Sequence, residues 1–175
     1  MILSYQTEQL LLYPVEIVFG FFADPGNLPL LMPGWQKARL TNASIVPPPP
    51  HPETRLAPGT TAAGVGSKLT LSFRPFPAAP FRVTWLAEIS EFVWNDHFCD
   101  CQVRGPFAQW DHRHSFRTVI HQGIPGTIVT DRVEYALPFG FAGHIANRLF
   151  LRGMIESTFA YRQRQIDSIF KPAAS

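Results

Sequence analysis

The sequence predicts an α+β domain in which an antiparallel sheet curls around one long C-terminal helix. Three observations predict it. A strand followed directly by two short helices opens the chain. Apolar and polar residues then alternate in successive segments from Ser67 to Leu137. Finally, Leu151, Ile155, Phe159, Ile166 and Phe170 recur at steps of four, four, seven and four, which is one apolar stripe on a helix.

The chain has 175 residues, enough for one domain with a full core and short for two. No internal repeat divides it, so residues 1–175 read as a single domain. Charged residues make up only 16%, while 17 prolines and 15 phenylalanines suit long loops and a wide apolar interior. Formal net charge is +2 and no run of Lys or Arg occurs, which argues against nucleic acid as a partner. The two cysteines, Cys99 and Cys101, lie two apart on one strand face. They are too far apart there for a relaxed disulfide and too closely spaced in sequence for a common zinc pair. Reduced thiols fit a reducing compartment. With no basic leader and no apolar run of membrane-spanning length, the expectation is a cytoplasmic chain without stable membrane insertion.

Each element has its own signal. Residues 2–12 read as the first strand. Pro14 suits a helix start, Glu16 favours the helix N-terminus, and Val15, Val18, Phe19 and Phe22 recur at helical spacing over 14–23. Asp24-Pro25 caps a second short helix over Leu28–Met32, which Pro33-Gly34 stops. A strand fits 36–46. Residues 46–61 form a Pro-rich loop insertion whose four consecutive prolines, 47–50, cannot donate ladder hydrogen bonds. A loop of that length is placed to cover a cavity mouth. Strand signals return with Leu69, Leu71 and Phe73, and then with Phe81, Val83, Trp85, Ala87 and Ile89 on one apolar face. Strands over 96–104 and 108–120 follow, joined at Gly105-Pro106. Residues 123–126 turn the chain into a last strand whose inner face carries Val129, Asp131, Val133, Tyr135 and Leu137. A long helix over 141–170 closes the domain. At 100° per residue Arg162 falls inside its apolar stripe, and Gly153 is a weak point suited to a bend or close packing.

The stretch Phe98–Phe116 is the most unusual part of the chain. Trp110, His112, His114 and Phe116 alternate along one strand and so share one face. Two imidazoles between two aromatics on an inward face call for partners. Asp131 and Arg162 are also predicted inward. The facing of 96–104 stays open on its residues: Cys99, Cys101 and Val103 read as the apolar side, which would send Asp100 and Gln102 outward.

Several stretches carry a family likeness: Phe98-Cys-Asp100-Cys-Gln102, Gly105-Pro106-Phe107, Trp110-Asp-His112-Arg-His114-Ser-Phe116, Thr127 to Asp131, Tyr135-Ala-Leu-Pro138-Phe-Gly140 and Phe159-Ala-Tyr161-Arg162. In these the chain resembles the START-like, or SRPBCC, superfamily, and within it the bacterial group described only as ligand-binding SRPBCC domain proteins. The Pro-rich segment 46–61 departs from that pattern. The resemblance implies a helix-grip fold, with a sheet of about seven strands around the C-terminal helix and a cavity between them. Members commonly bind hydrophobic or amphipathic small molecules, and a few catalyse aromatic ring closure or dehydration. The resemblance also turns Asp100 and Gln102 inward.

Together these readings give a ligand-binding set of Trp85, Asp100, Gln102, Trp110, His112, His114, Asp131, Phe159 and Arg162, with no cofactor and no metal. The expected function is noncovalent binding of a hydrophobic or aromatic small molecule in an internal cavity. One alternative is a polyketide cyclase or dehydratase-type enzyme using His112 or His114 with Asp131 as general base. Another is an interaction or structural module whose polar network closes on itself. A metal held by His112, His114 and Asp131 is the least favoured reading of the same residues.

Overall fold

The computed structural model describes residues 1–50, 60–138 and 150–171. A seven-stranded antiparallel sheet runs in the order β1-β7-β6-β5-β4-β3-β2. Its strands are β1 (Leu3–Leu11), β2 (Arg39–Ser44), β3 (Lys68–Phe73), β4 (Val83–Val93), β5 (His97–Arg104), β6 (Gln109–His121) and β7 (Ile124–Ala136). Among the described residues two α-helices, α1 (Val15–Ala23) and α2 (Arg152–Ile169), complete the helix-grip α+β architecture. No helix among the described residues is long and apolar enough to cross a membrane.

Local chemistry sets the elements. Pro14 stands just before α1, and its carbonyl accepts from the amides of Ile17 and Val18 at 3.2 Å each. The Asp24 side chain accepts from the Gly26 amide at 2.8 Å and opens the next turn. The short helix expected over 28–32 is a 3-10 segment, Pro25–Leu31. Pro29 inside it has no amide to donate, which discourages a longer helical ladder. A second 3-10 turn, Gly34–Gln36, delays the start of β2 to Arg39.

Two tight connections fix registers. Gln122 and Gly123 both have positive φ, 52° and 80°. That is the pattern of a two-residue type I′ hairpin, and it joins β6 to β7 one residue earlier than the glycines suggest. At the other end of β6, Gln102 donates to the Phe107 carbonyl at 2.8 Å and accepts from the Phe107 amide at 3.3 Å. A Cβ at Gly105 would collide with the Gln102 side chain, which would have to shift away from its bonds to Phe107.

The inner face of the sheet follows the predicted alternation on β6 and β7. His112, His114 and Phe116 are buried on β6, and Thr127, Val129, Asp131, Val133 and Tyr135 on β7. On β4, Ala87 and Ile89 are buried, but Phe81 lies outside the strand and is 52% exposed. Pro80 precedes it and cannot extend the ladder. On β5, Phe98 is buried and Asp100 faces the interior, so the thiols of Cys99 and Cys101 lie on the outer face. The thiol-side reading of that strand is thereby corrected.

The helix α2 lies against the concave face. Its stripe of Ile155, Phe159, Arg162 and Ile166 is buried, while Glu156, Arg164 and Asp167 are exposed. The expected helical start over 141–149 lies outside the described residues. A Cβ at Gly153 would meet nothing within 4 Å, so that residue does not serve close packing. Polar contacts tie α2 to β1: Gln163 donates to Thr7 Oγ1 at 2.8 Å and to the Glu8 carbonyl at 3.0 Å. Gln9 donates in return to the Gln163 carbonyl at 3.0 Å.

One end of the interior is closed by aromatic packing. The Phe19 ring, fully buried on α1, has centroids of Phe92, Trp94, Phe98 and Phe116 within 5.0–5.9 Å. Most of these pairs are edge-to-face or tilted, the arrangements that ring quadrupoles favour. Trp94 also donates its indole N–H to the Pro49 carbonyl at 2.6 Å, which pins the described end of the Pro-rich loop. Residues 51–59 of that loop lie outside the described residues.

Candidate functional site

Beyond the aromatic plug the sheet and α2 diverge around a cavity of about 360 Å³. Its walls are mostly apolar, with Leu69, Leu71 and Ala87 from the sheet and Ile155 and Phe159 from α2. Of the residues singled out in the sequence, Trp85, Asp100, Trp110, His112, His114, Phe159 and Arg162 line it. Gln102 and Asp131 do not. Gln102 holds the β5–β6 loop, and Asp131 stands behind the two histidines.

Strand register brings the polar residues together. Asp100 on β5 is directly opposite His112 on β6, and His114 is directly opposite Asp131 on β7. Two-residue alternation puts all four side chains on the inner face. The result is a closed ring of contacts. Asp131 Oδ1 lies 3.0 Å from His112 Nε2 and 2.7 Å from His114 Nδ1. On the other side, Asp100 Oδ2 lies 3.6 Å from His112 Nδ1 and 3.5 Å from His114 Nε2. The imidazole centroids are 3.9 Å apart, and Phe98 stacks on His114 at 4.4 Å.

Arg162 joins from α2. Its Nε lies 3.7 Å from Asp131 Oδ2, and its guanidinium sits 5.2 Å from the Phe22 ring centroid. Arg162 Nη2 is also 3.4 Å from His114 Nδ1. That nitrogen cannot both donate to Asp131 and accept from Arg162. The shorter contact to an ionised carboxylate decides it, so Nδ1 of His114 carries the proton. The Nε of Arg162 is buried without a hydrogen-bond partner among the described residues.

The electrostatics follow. Burial pushes the Asp131 carboxyl up, but Arg162, His114 and His112 together outweigh it and hold the group well below the usual carboxylate range. Asp100 is lowered in the same way, against its burial, by His114, His112 and Arg162. Burial, reinforced by the neighbouring His114, lowers the His112 pKa despite its hydrogen bond to Asp131. The site therefore holds two carboxylates, one guanidinium and a neutral His112. Asp131 is 6% exposed at its side chain, whereas 21% of the Asp100 side chain remains accessible. Asp131 is a buried anchor and Asp100 a cavity-facing group.

The structure adds residues that the sequence reading did not single out. Phe107, from the Gly-Pro loop, packs on Trp110 at 4.8 Å and on Trp85 at 5.5 Å. Trp85 and Trp110 meet edge to face at 5.0 Å, so three rings form an aromatic wall. Gln36, 6% exposed, lines the cavity from the 3-10 turn before β2, and its side-chain oxygen is buried with no hydrogen-bond partner among the described residues. A loop position and a lone Gln carry no periodic signal, so neither could be found from alternation.

No family model matches the chain, and no curated protein matches it. Solved structures do. Protein CV1439 from Chromobacterium violaceum superposes with a TM-score of 0.62 at 13% identity, covering 97% of this chain and 98% of that one. Protein Ms6760 from Mycobacterium smegmatis gives a TM-score of 0.59 at 17% identity, covering 95% and 90%. Norcoclaurine synthase from Thalictrum flavum, in complex with dopamine and hydroxybenzaldehyde, gives 0.58 at 13% identity, covering 99% and 90%. Whole-chain superposition at such low identity, on the strand order and closing helix described above, establishes the architecture: this chain has the helix-grip fold of START-like, or SRPBCC, proteins.

Proposed function

We propose that the chain binds a small hydrophobic or aromatic molecule noncovalently in the internal cavity, oriented by polar groups at its walls. The observation that carries this reading is the cavity itself. About 360 Å³ lies within the range of small-molecule sites, and its apolar walls carry a few fixed polar groups. A chain needing only a packed core would fill that space. Gln36 and Asp100 present the ligand with hydrogen-bond acceptors, and Trp85, Phe107 and Trp110 offer ring faces. Norcoclaurine synthase, which shares the fold, is seen with two aromatic molecules, and this supports the aromatic class. A self-closing polar network is less well supported, because Asp100 keeps part of its side chain accessible.

The test is native mass spectrometry of the purified chain against its denatured mass. Extra mass lost on denaturation, identified as an aromatic or hydrophobic molecule, is the expected result. A bare chain that also fails to take up any neutral aromatic probe would overturn the reading.

Catalysis is a second reading with one observation in its favour. Asp131 fixes His112 through a 3.0 Å hydrogen bond while burial keeps the imidazole neutral, the state a general base needs. On this reading His112 exchanges a proton of an enolisable aromatic ketone. Deuterium incorporation followed by NMR should be lost in His112→Gln while binding of the ketone persists. Equal incorporation in the variant sinks it.

A further inference from the structure

We propose that Asp100, His112 and His114 form a binding site for a divalent first-row transition-metal ion at the cavity wall, with Asp131 as the group that orients both histidines. An ionised carboxylate only accepts hydrogen bonds, so Asp131 Oδ1 requires N–H groups at His112 Nε2 and His114 Nδ1, its neighbours at 3.0 and 2.7 Å. A metal ion would take the opposite nitrogens, His112 Nδ1 and His114 Nε2, in place of a second proton on each ring. Both point toward Asp100 Oδ2, at 3.6 and 3.5 Å.

Two imidazole nitrogens and one carboxylate oxygen thus face one another on the inner face of the sheet. A tetrahedral ion with bonds of about 2.0–2.1 Å sets its ligand atoms about 3.3–3.4 Å apart. The separations from Asp100 are within a few tenths of an ångström of that, and one ligand atom from each of the three residues lies within 4.8 Å of the other two. Two imidazoles and one carboxylate suit Zn²⁺, Co²⁺ or Fe²⁺ better than Ca²⁺ or Mg²⁺. A second carboxylate accepting the far N–H of each ligating histidine is the usual support of such sites.

Charge points the same way. Among the described residues, Asp100 and Asp131 sit with one guanidinium, that of Arg162, and a divalent cation would add positive charge beside the two carboxylates. All three residues also line the cavity. Cys99 lies on the outer face of β5 and takes no part. The site does not depend on an organic ligand, and its failure leaves the binding reading untouched.

The test is titration of the chelator-treated chain with Co²⁺, followed by displacement with Zn²⁺. One equivalent should bind, with visible d–d absorption. Asp100→Asn should weaken binding at least tenfold, and so should Asp131→Asn, which leaves the three donors in place. His97→Ala, on the outer surface, should leave it unchanged. X-ray absorption of the Zn²⁺-loaded wild-type chain keeps the test independent of whether the variants fold. It should show two imidazoles and a carboxylate oxygen. Absence of saturable binding, a shell containing sulfur or a single imidazole, or full affinity in Asp100→Asn would overturn the proposal.

Discussion

The same three strands, β5, β6 and β7, build two very different neighbourhoods a few residues apart. At one end Phe98 and Phe116 meet Phe19 in an aromatic plug, with Val129 in the same core cluster. Two residues further along, Asp100, His114 and Asp131 replace them on the same face. The phenylalanines of the plug are satisfied by shape and need no hydrogen bond. The polar neighbourhood is satisfied by pairing, and every buried charge in it needs another group to offset its desolvation. Phe19 and Phe116 of the plug do not line the cavity, whereas Asp100, His112 and His114 of the polar cluster do. Alternation sets which side chains face inward, and side-chain chemistry then decides whether an inward face becomes core or site.

The largest expected effect lies in the plug. Phe19→Ala should cost about 3–5 kcal/mol in denaturant unfolding, because four aromatic neighbours cannot all collapse into the space. A loss under about 1 kcal/mol would mean that the plug is loosely packed and the contrast false. Next comes Arg162→Leu, expected to cost about 3 kcal/mol, since it strips a buried cation from Asp131. Its two imidazole hydrogen bonds remain to Asp131, which keeps the loss at the lower end. A melt unchanged by this substitution would show that Arg162 is not part of the network.

Asp100→Asn sharpens the comparison within the cluster. With its side chain partly accessible and its histidine contacts at 3.5–3.6 Å, it should change stability by less than about 1 kcal/mol. The smallest effect concerns the outer face of β5. Burial pushes the Cys99 thiol up to about 11, a shift that Arg113 opposes and Glu91 reinforces. At pH 8 only about one such thiol in a thousand is ionised, so alkylation should be slow and should accelerate as pH rises toward that value. Linkage has the same sign: a raised thiol pKa adds stability below the unfolded value and loses it as pH climbs through the folded one. Rapid labelling at pH 8 in the folded chain would contradict the half-buried placement.

Much of the fold was legible because its signals are periodic. Strand alternation and the α2 stripe placed His112, His114, Asp131, Phe159 and Arg162 inward before any coordinates. Where chemistry blurred the period, the reading stayed open. Cys99 and Cys101 look apolar by composition, yet they occupy the outer face, where Arg113 donates to Glu91 at 2.7 Å beside Cys99. A thiol tolerates either face, so it is a poor indicator of direction. Gln102 shares the face of Asp100, but its amide is committed to the Phe107 backbone. Gln36 and Phe107 come from irregular backbone, where no period exists to predict them.

The cavity beside the polar cluster should take up a small aromatic molecule, and filling it is the most direct experiment. Trp85 and Trp110 stand at its wall, so their fluorescence reports occupancy. Titration with N-phenyl-1-naphthylamine, a neutral aromatic probe, should quench them saturably with one molecule per chain. In Ala87→Phe, which projects a ring from β4 into the cavity, the quenching should be lost while the cooperative melt remains. Absence of saturable quenching in the wild-type chain, or equal binding in the filled variant, would contradict the account.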